Sequence, residues 1–134
     1  MTTYVDSSAL LKRYVDEPDS AATDQLLRAD PVLVTSWITV VEVRRNLARL
    51  VEPSELVAVR SQCVRDLDQF ALVAVDEAVC QTAADIGEQL GVRTLDAVHL
   101  ACAQRLLIPG LSFITFDLRQ AQAARALGFT VLGA

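Results

Sequence analysis

Asp6, Glu42, Asp96 and Asp117 each sit where an apolar segment ends or turns amphipathic, the positions from which side chains converge in an open α/β sheet. Ionised carboxylates held within a few ångströms repel one another, so without a counter-charge one takes up a proton or the site opens. A divalent cation removes that penalty. An all-oxygen donor set suits hard ions such as Mg²⁺ or Mn²⁺ and suits zinc poorly. The chemistry that such a cluster supports is phosphodiester hydrolysis.

The elements that must position these acids are legible from periodicity and capping. Thr3-Tyr4-Val5 reads as a strand, followed by a helix capped by Ser7 or Ser8 that runs through Leu10, Leu11 and Tyr14 towards Pro18. A second helix covers about Asp19 to Arg28, and Val32–Thr35 reads as a buried strand. Ser36 caps a helix through Val40, Val41, Leu47 and Leu50, and Pro53 fits the first turn of the next helix. Ala71–Val75 forms a third strand. Asp76 caps a helix ending near Gly91, and Thr94 caps another through Leu95, Val98, Ala101 and Leu106. Phe113–Thr115 is a fourth strand, Asp117 begins the last helix, and Phe129–Val131 closes the chain as a short strand.

Strands separated by helices of ten or more residues require crossover connections. The expected fold is therefore α/β, a three-layer α/β/α sandwich around a mainly parallel sheet of four to five strands. No linker or repeat divides the chain, so residues 1–134 read as one domain. Asp6 and Asp117 each follow a strand directly, at the carboxyl edge where such sheets bind ligands.

Composition narrows the function classes. Apolar residues make up 52% of the chain, and the mean hydropathy is +0.34. No apolar run approaches the roughly 20 residues of a membrane span. The excess apolar surface is thus assigned to a protein interface. Met1-Thr2-Thr3-Tyr4-Val5-Asp6 lacks the basic and apolar regions of a signal peptide, which makes the cytoplasm the expected location. Cys63, Cys80 and Cys102 are widely spaced, form no C-x-x-C pair and read as small core residues. A net charge of −5 is unfavourable for tight autonomous RNA binding. Basic residues are nevertheless grouped, with Lys12 and Arg13 near the start and Arg44, Arg45 and Arg49 together, which allows a local basic rim. Trp37 and the other aromatics are too scattered for a base-stacking platform and read mostly as core.

The series Tyr4-Val5-Asp6-Ser7-Ser8-Ala9-Leu10, Glu42 on a helix, Leu95-Asp96-Ala97-Val98-His99-Leu100-Ala101 and Thr115-Phe116-Asp117 resembles the motifs of PIN-domain nucleases. It is similar in particular to the VapC-type toxins of bacterial toxin–antitoxin pairs, over essentially the whole chain. The resemblance implies a metal-dependent endoribonuclease in which Asp6, Glu42, Asp96 and Asp117 bind one or two Mg²⁺ or Mn²⁺ ions. It also implies that the hydroxyls of Ser8 and Thr115 assist. A homodimer, an RNA substrate and a VapB-type antitoxin that places a basic side chain among the carboxylates complete the implied picture.

Each acid has a plainer reading. Asp6, Asp96 and Asp117 stand at helix starts, where a carboxylate cap stabilises by about 0.5–2 kcal/mol. Glu42 lies inside a helix that needs no cap, and its plainer role is an i,i+3 ion pair with Arg45 worth about 0.2–0.5 kcal/mol. His99 lies one turn after Asp96 but reads as a half-buried packing residue, and it stays outside the catalytic set. The chain has no G-x-S-x-G elbow, phosphate-binding P-loop or dinucleotide turn. The rival from another class is a non-catalytic PIN-like scaffold that keeps the acids and acts through a protein partner.

Overall fold

The computed structural model describes residues 2–134; Met1, the first residue of the N-terminal stretch read above, lies outside them. The chain runs β1 (Thr2–Val5), α1 (Ser7–Leu11), α2 (Ser20–Ala29), β2 (Val32–Ser36), α3 (Trp37–Leu50) and α4 (Pro53–Leu67). It continues through β3 (Ala71–Val73), α5 (Glu77–Leu90), α6 (Thr94–Gln104), β4 (Ser112–Thr115), α7 (Leu118–Ala126) and β5 (Thr130–Gly133). The strands form one sheet in the order β3-β2-β1-β4-β5, and every pairing is parallel. The expected α/β/α sandwich is what the chain adopts.

Side-chain alternation along the strands builds the two sides of the sheet. Tyr4 and Phe113 point into a core with Ile86, Leu100 and Leu111, covered by α5, α6 and α7. Their neighbours Val5 and Ile114 point the other way, into a core with Leu10, Val43, Leu47 and Leu67 from α1, α3 and α4. The central strands β1 and β4 are buried on both faces, which is why they read as short continuous apolar runs. Tyr4 stacks on Phe113, and Phe113 on Phe129, with ring centroids 5.1 and 5.7 Å apart.

Several local expectations need correction. Asp6 caps α1 through Ala9 N, in place of Ser7 or Ser8. That helix stops at Leu11, because Arg13 and Tyr14 turn back on Leu10 and Leu11 in tighter i→i+3 bonds. Tyr14 is drawn aside by its hydroxyl, which donates to Asp66 Oδ2 at 2.6 Å. β3 ends at Val73, short of Val75, and β5 begins at Thr130. Thr94 is the first residue of α6 and Arg93 holds the cap position, while that helix ends at Gln104, before Leu106. Trp37 and Cys80 are exposed and take no part in the core. Lys12 and Arg13 are engaged by Glu17, Asp19 and Asp24, so the proposed basic rim loses its N-terminal half. Glu42 does not pair with Arg45; its carboxylate turns inward.

Candidate active site

The carboxyl ends of β1 and β4 lie side by side, joined where Asp6 N donates to Ile114 O at 3.2 Å. This places Asp6 at the end of β1 and Asp117 two residues beyond β4 on the same sheet edge. Glu42 comes from the second turn of α3 and Asp96 from the first turn of α6. All four acids line one cavity of about 240 Å³, with Ser7, Ser8, Asn46, Arg93 and His99. Four elements of the chain therefore deliver their acids to a single place.

Asp6 is buried and double-duty. Its Oδ1 accepts from Ala9 N at 3.0 Å, capping α1, and from Ser8 Oγ at 2.7 Å. Burial pushes its carboxyl above the ordinary aspartate range; His99, Thr115, Ser8 and Ala9 pull the other way without cancelling the effect. A carboxyl in that condition gains from a nearby cation when ionised. Ser8 also accepts from Phe116 N at 3.2 Å and lies 3.5 Å from Thr115 Oγ1, while Thr115 Oγ1 accepts from Asp117 N at 3.1 Å. Both hydroxyls implied by the resemblance thus sit between the first and last acids, tying their backbones together.

Glu42 is held by a buried polar network. Ser7 Oγ donates to its Oε1 at 2.6 Å, and His99 Nε2 lies 2.7 Å from the same oxygen. His99 is only 3% exposed, and its Nδ1 is 2.8 Å from the Tyr4 hydroxyl. Burial drives the Tyr4 pKa well up, so the hydroxyl keeps its proton and can donate to Nδ1. The Nε2–H is then the donor to Glu42. Burial alone would raise the Glu42 carboxyl, but the bonds from His99 and Ser7 outweigh it and hold the pKa below the usual range. Asn46, one turn on, donates from Nδ2 to the Glu42 carbonyl at 2.9 Å.

The remaining two acids share one guanidinium. Arg93 Nε lies 3.2 Å from Asp96 Oδ2, and its Nη2 lies 2.9 Å from Asp117 Oδ2. Asp117 meanwhile caps α7, its Oδ1 accepting from Arg119 N and Gln120 N. Gln120 is buried and donates to the Asp96 carbonyl at 3.2 Å, locking α7 to the start of α6. Among the described residues, no three His, Cys, Asp or Glu side chains are gathered tightly enough to close around a metal ion. Within the cavity His99 holds Glu42, and Arg93 spans Asp96 and Asp117. The donor set nevertheless fits a hard divalent ion, because four carboxylates with hydroxyl neighbours face one small polar cavity.

The four acids and Ser8 line this cavity, and Thr115 stands behind it, fully buried between Ser8 and the Asp117 backbone. The cavity also holds Ser7, Asn46, Arg93 and His99, none of which the sequence reading counts among the site residues. Spacing carried the signal for three of them: Asn46 is i+4 from Glu42, Arg93 is i−3 from Asp96, and His99 is i+3 from Asp96.

The PIN domain family matches residues 3–126. The chain is 37% identical over 129 residues to a Mycobacterium tuberculosis protein named Ribonuclease VapC46, covering 96% of this chain and 95% of the relative. Among solved structures it is similar to M. tuberculosis VapC20, described as a sarcin–ricin-loop-cleaving toxin, with TM-score 0.76, 18% identity and coverage of 100% and 98% of the two chains. A toxin–antitoxin complex from Klebsiella pneumoniae aligns with TM-score 0.73 at 18% identity, over 97% of this chain and 95% of that one. These last two likenesses concern the fold.

Proposed function

The chain belongs to the PIN domain family, and on that premise we propose that it is an endoribonuclease of the VapC type, the toxin of a VapBC-type toxin–antitoxin pair. The observation that carries this reading is the delivery of Asp6, Glu42, Asp96 and Asp117 from four elements into one cavity. Residues 1–134 act as one PIN-like domain, and RNA is the substrate.

Asp6, Glu42, Asp96 and Asp117 would hold Mg²⁺ or Mn²⁺. When bound, the ion supplies charge neutralisation at the phosphate and lowers the pKa of water beside it. The chain's own residues prepare the acids for that task. Ser8 fixes the Asp6 carboxylate, and Thr115 fixes the backbone entering Asp117. Ser7 and His99 keep Glu42 ionised and oriented. Arg93, exposed at the rim and already bonded to Asp96 and Asp117, is within reach of a phosphate that enters the cavity.

The partners follow from the same reading. A VapB-type antitoxin is the cognate inhibitor, and the exposed apolar side chains Trp37, Val41 and Leu95 supply contact area for it or for a second copy in a homodimer. Light scattering checks the dimer, and a monomer at micromolar concentration refutes it. An upstream-encoded neighbour that neither co-purifies nor suppresses toxicity refutes the antitoxin.

The nuclease itself is tested by incubating purified protein with total cellular RNA in Mg²⁺ or Mn²⁺ against EDTA, with Asp6→Asn and Asp96→Asn alongside. Metal-dependent cutting lost in both variants is the expected result. Cutting that survives EDTA, or that both variants retain, overturns the four-acid mechanism.

A further inference from the structure

A second cleft opens directly beside the acid cavity. It holds about 400 Å³ and lies between the α5–α6 connection and α7, lined among others by Val92, Arg93, Arg119, Gln122, Ala123 and Ala126. Arg93 and Asp96 line both spaces, so the two adjoin. We propose that this cleft is a binding subsite for the RNA segment adjoining the scissile phosphate, with Arg119 as the residue that grips its backbone; the proposal rests on the nuclease reading above.

Charge distribution is the first argument. Of the basic side chains around the acids, Arg93 is committed to Asp96 and Asp117, and Lys12 to Glu17 and Asp19. Arg119 is exposed and has no ion-pair partner among the described residues, although the chain carries a net charge of −5. An unpaired guanidinium in that acidic setting is available to a phosphate, which it can bind through two parallel N–H donors. Its backbone N–H already donates to Asp117 Oδ1 at 2.9 Å, which fixes the residue next to the catalytic acids.

The lining supplies the second argument. Ala123 and Ala126 on α7 and Val92 in the α5–α6 connection give the cleft small apolar lining that a sugar or base can pack against. Gln122 is exposed and offers an amide with both donor and acceptor to a base edge. A cleft of this size suits a nucleotide-sized group. Gly91, at φ 66°, ends α5 and turns the chain so that Arg93 reaches the boundary between the two spaces.

The test separates binding from cleavage. The Asp6→Asn protein, which keeps the α1 cap, is titrated into labelled single-stranded RNA of randomised sequence and followed by fluorescence anisotropy. Arg119→Glu and the uncharged cleft-filling change Ala126→Phe are each added, with Arg60→Glu on α4 as control. We expect Arg119→Glu and Ala126→Phe each to weaken binding about fivefold or more, with Arg119→Glu alone flattening the salt dependence by about 0.7 per lost phosphate contact. Arg60→Glu should bind like its parent. If either cleft variant binds as tightly as the parent, the subsite is refuted; cutting by the Asp6-bearing chain would then still leave the nuclease reading standing. If the parent fails to bind RNA and the Asp6-bearing chain fails to cut it, both readings fall. Loss of a co-expressed protein partner with RNA affinity unchanged would assign the cleft to an acidic peptide and equally refute the proposal.

Discussion

His99 Nε2 stands 2.7 Å from Glu42 Oε1, joining a buried residue of α6 to the one candidate metal-binding acid that lies beyond the first turn of its helix. Glu42 has no helix N-terminus to orient it, unlike Asp6 and Asp117, so its direction depends on side chains alone. His99 and Ser7 supply that direction from the floor of the site.

His99→Ala should lower Mn²⁺ affinity and cleavage about 10–100-fold, the range seen when a residue orienting a metal-bound side chain is removed. Isothermal titration with Mn²⁺, alongside RNA cleavage, measures both. An unchanged Mn²⁺ affinity in a folded His99→Ala protein would leave His99 as packing only. Tyr4→Phe removes the partner of buried Nδ1 and should cost about 1–3 kcal/mol of stability by denaturant titration.

Arg93 sets up a competition. Its guanidinium neutralises Asp96 and Asp117, so a metal at the cavity must share or displace it. The side chain is 68% exposed, so solvent screens both pairs and neither holds the guanidinium firmly. Arg93→Ala should therefore tighten Mn²⁺ binding by about two- to tenfold, while RNA cleavage at low substrate falls through loss of phosphate contact. Weaker Mn²⁺ binding in that variant would show that Arg93 supports the metal site and does not compete with it.

Sequence spacing made the acids legible because each sits at a strand end or on a periodic helix, and the parallel sheet then forces those points together. Their partners were less legible. Glu42 faces His99 because β1, α3 and α6 pack in one particular arrangement, and no local pattern encodes a contact across 57 residues. Glu42–Arg45 satisfied the helical i,i+3 rule yet did not form, because buried donors offer a carboxylate more than a solvated arginine does. Trp37 escaped for a similar reason: helical periodicity marks a face, but only the packed layers decide whether that face is covered. The early end of α1 reflects tertiary pull, with Tyr14 turned to Asp66 from a distant helix.

Helix α5 ends at Gly91 with φ 66°, and a Cβ there would meet nothing within 4 Å. The cost of Gly91→Ala is therefore conformational, not steric. It should destabilise by about 1 kcal/mol, seen as a lower denaturant midpoint with an unchanged slope. A neutral or stabilising result would mean that the α5–α6 connection relaxes without loss.

The sheet centre carries the last prediction. Phe113 is fully buried on β4, stacked between Tyr4 and Phe129. Phe113→Ala removes both stacks and leaves a cavity beneath Tyr4, at a cost of about 3–5 kcal/mol. Phe113→Leu fills most of that volume and should cost less than half as much. Because Tyr4 is the residue that abuts His99 Nδ1, loosening its ring should also loosen the hold on Glu42. Phe113→Leu should accordingly weaken Mn²⁺ binding while the protein remains folded, and titration under native conditions distinguishes the two effects. Full Mn²⁺ affinity in a destabilised Phe113→Leu protein would show that the His99–Glu42 contact is independent of the aromatic stack.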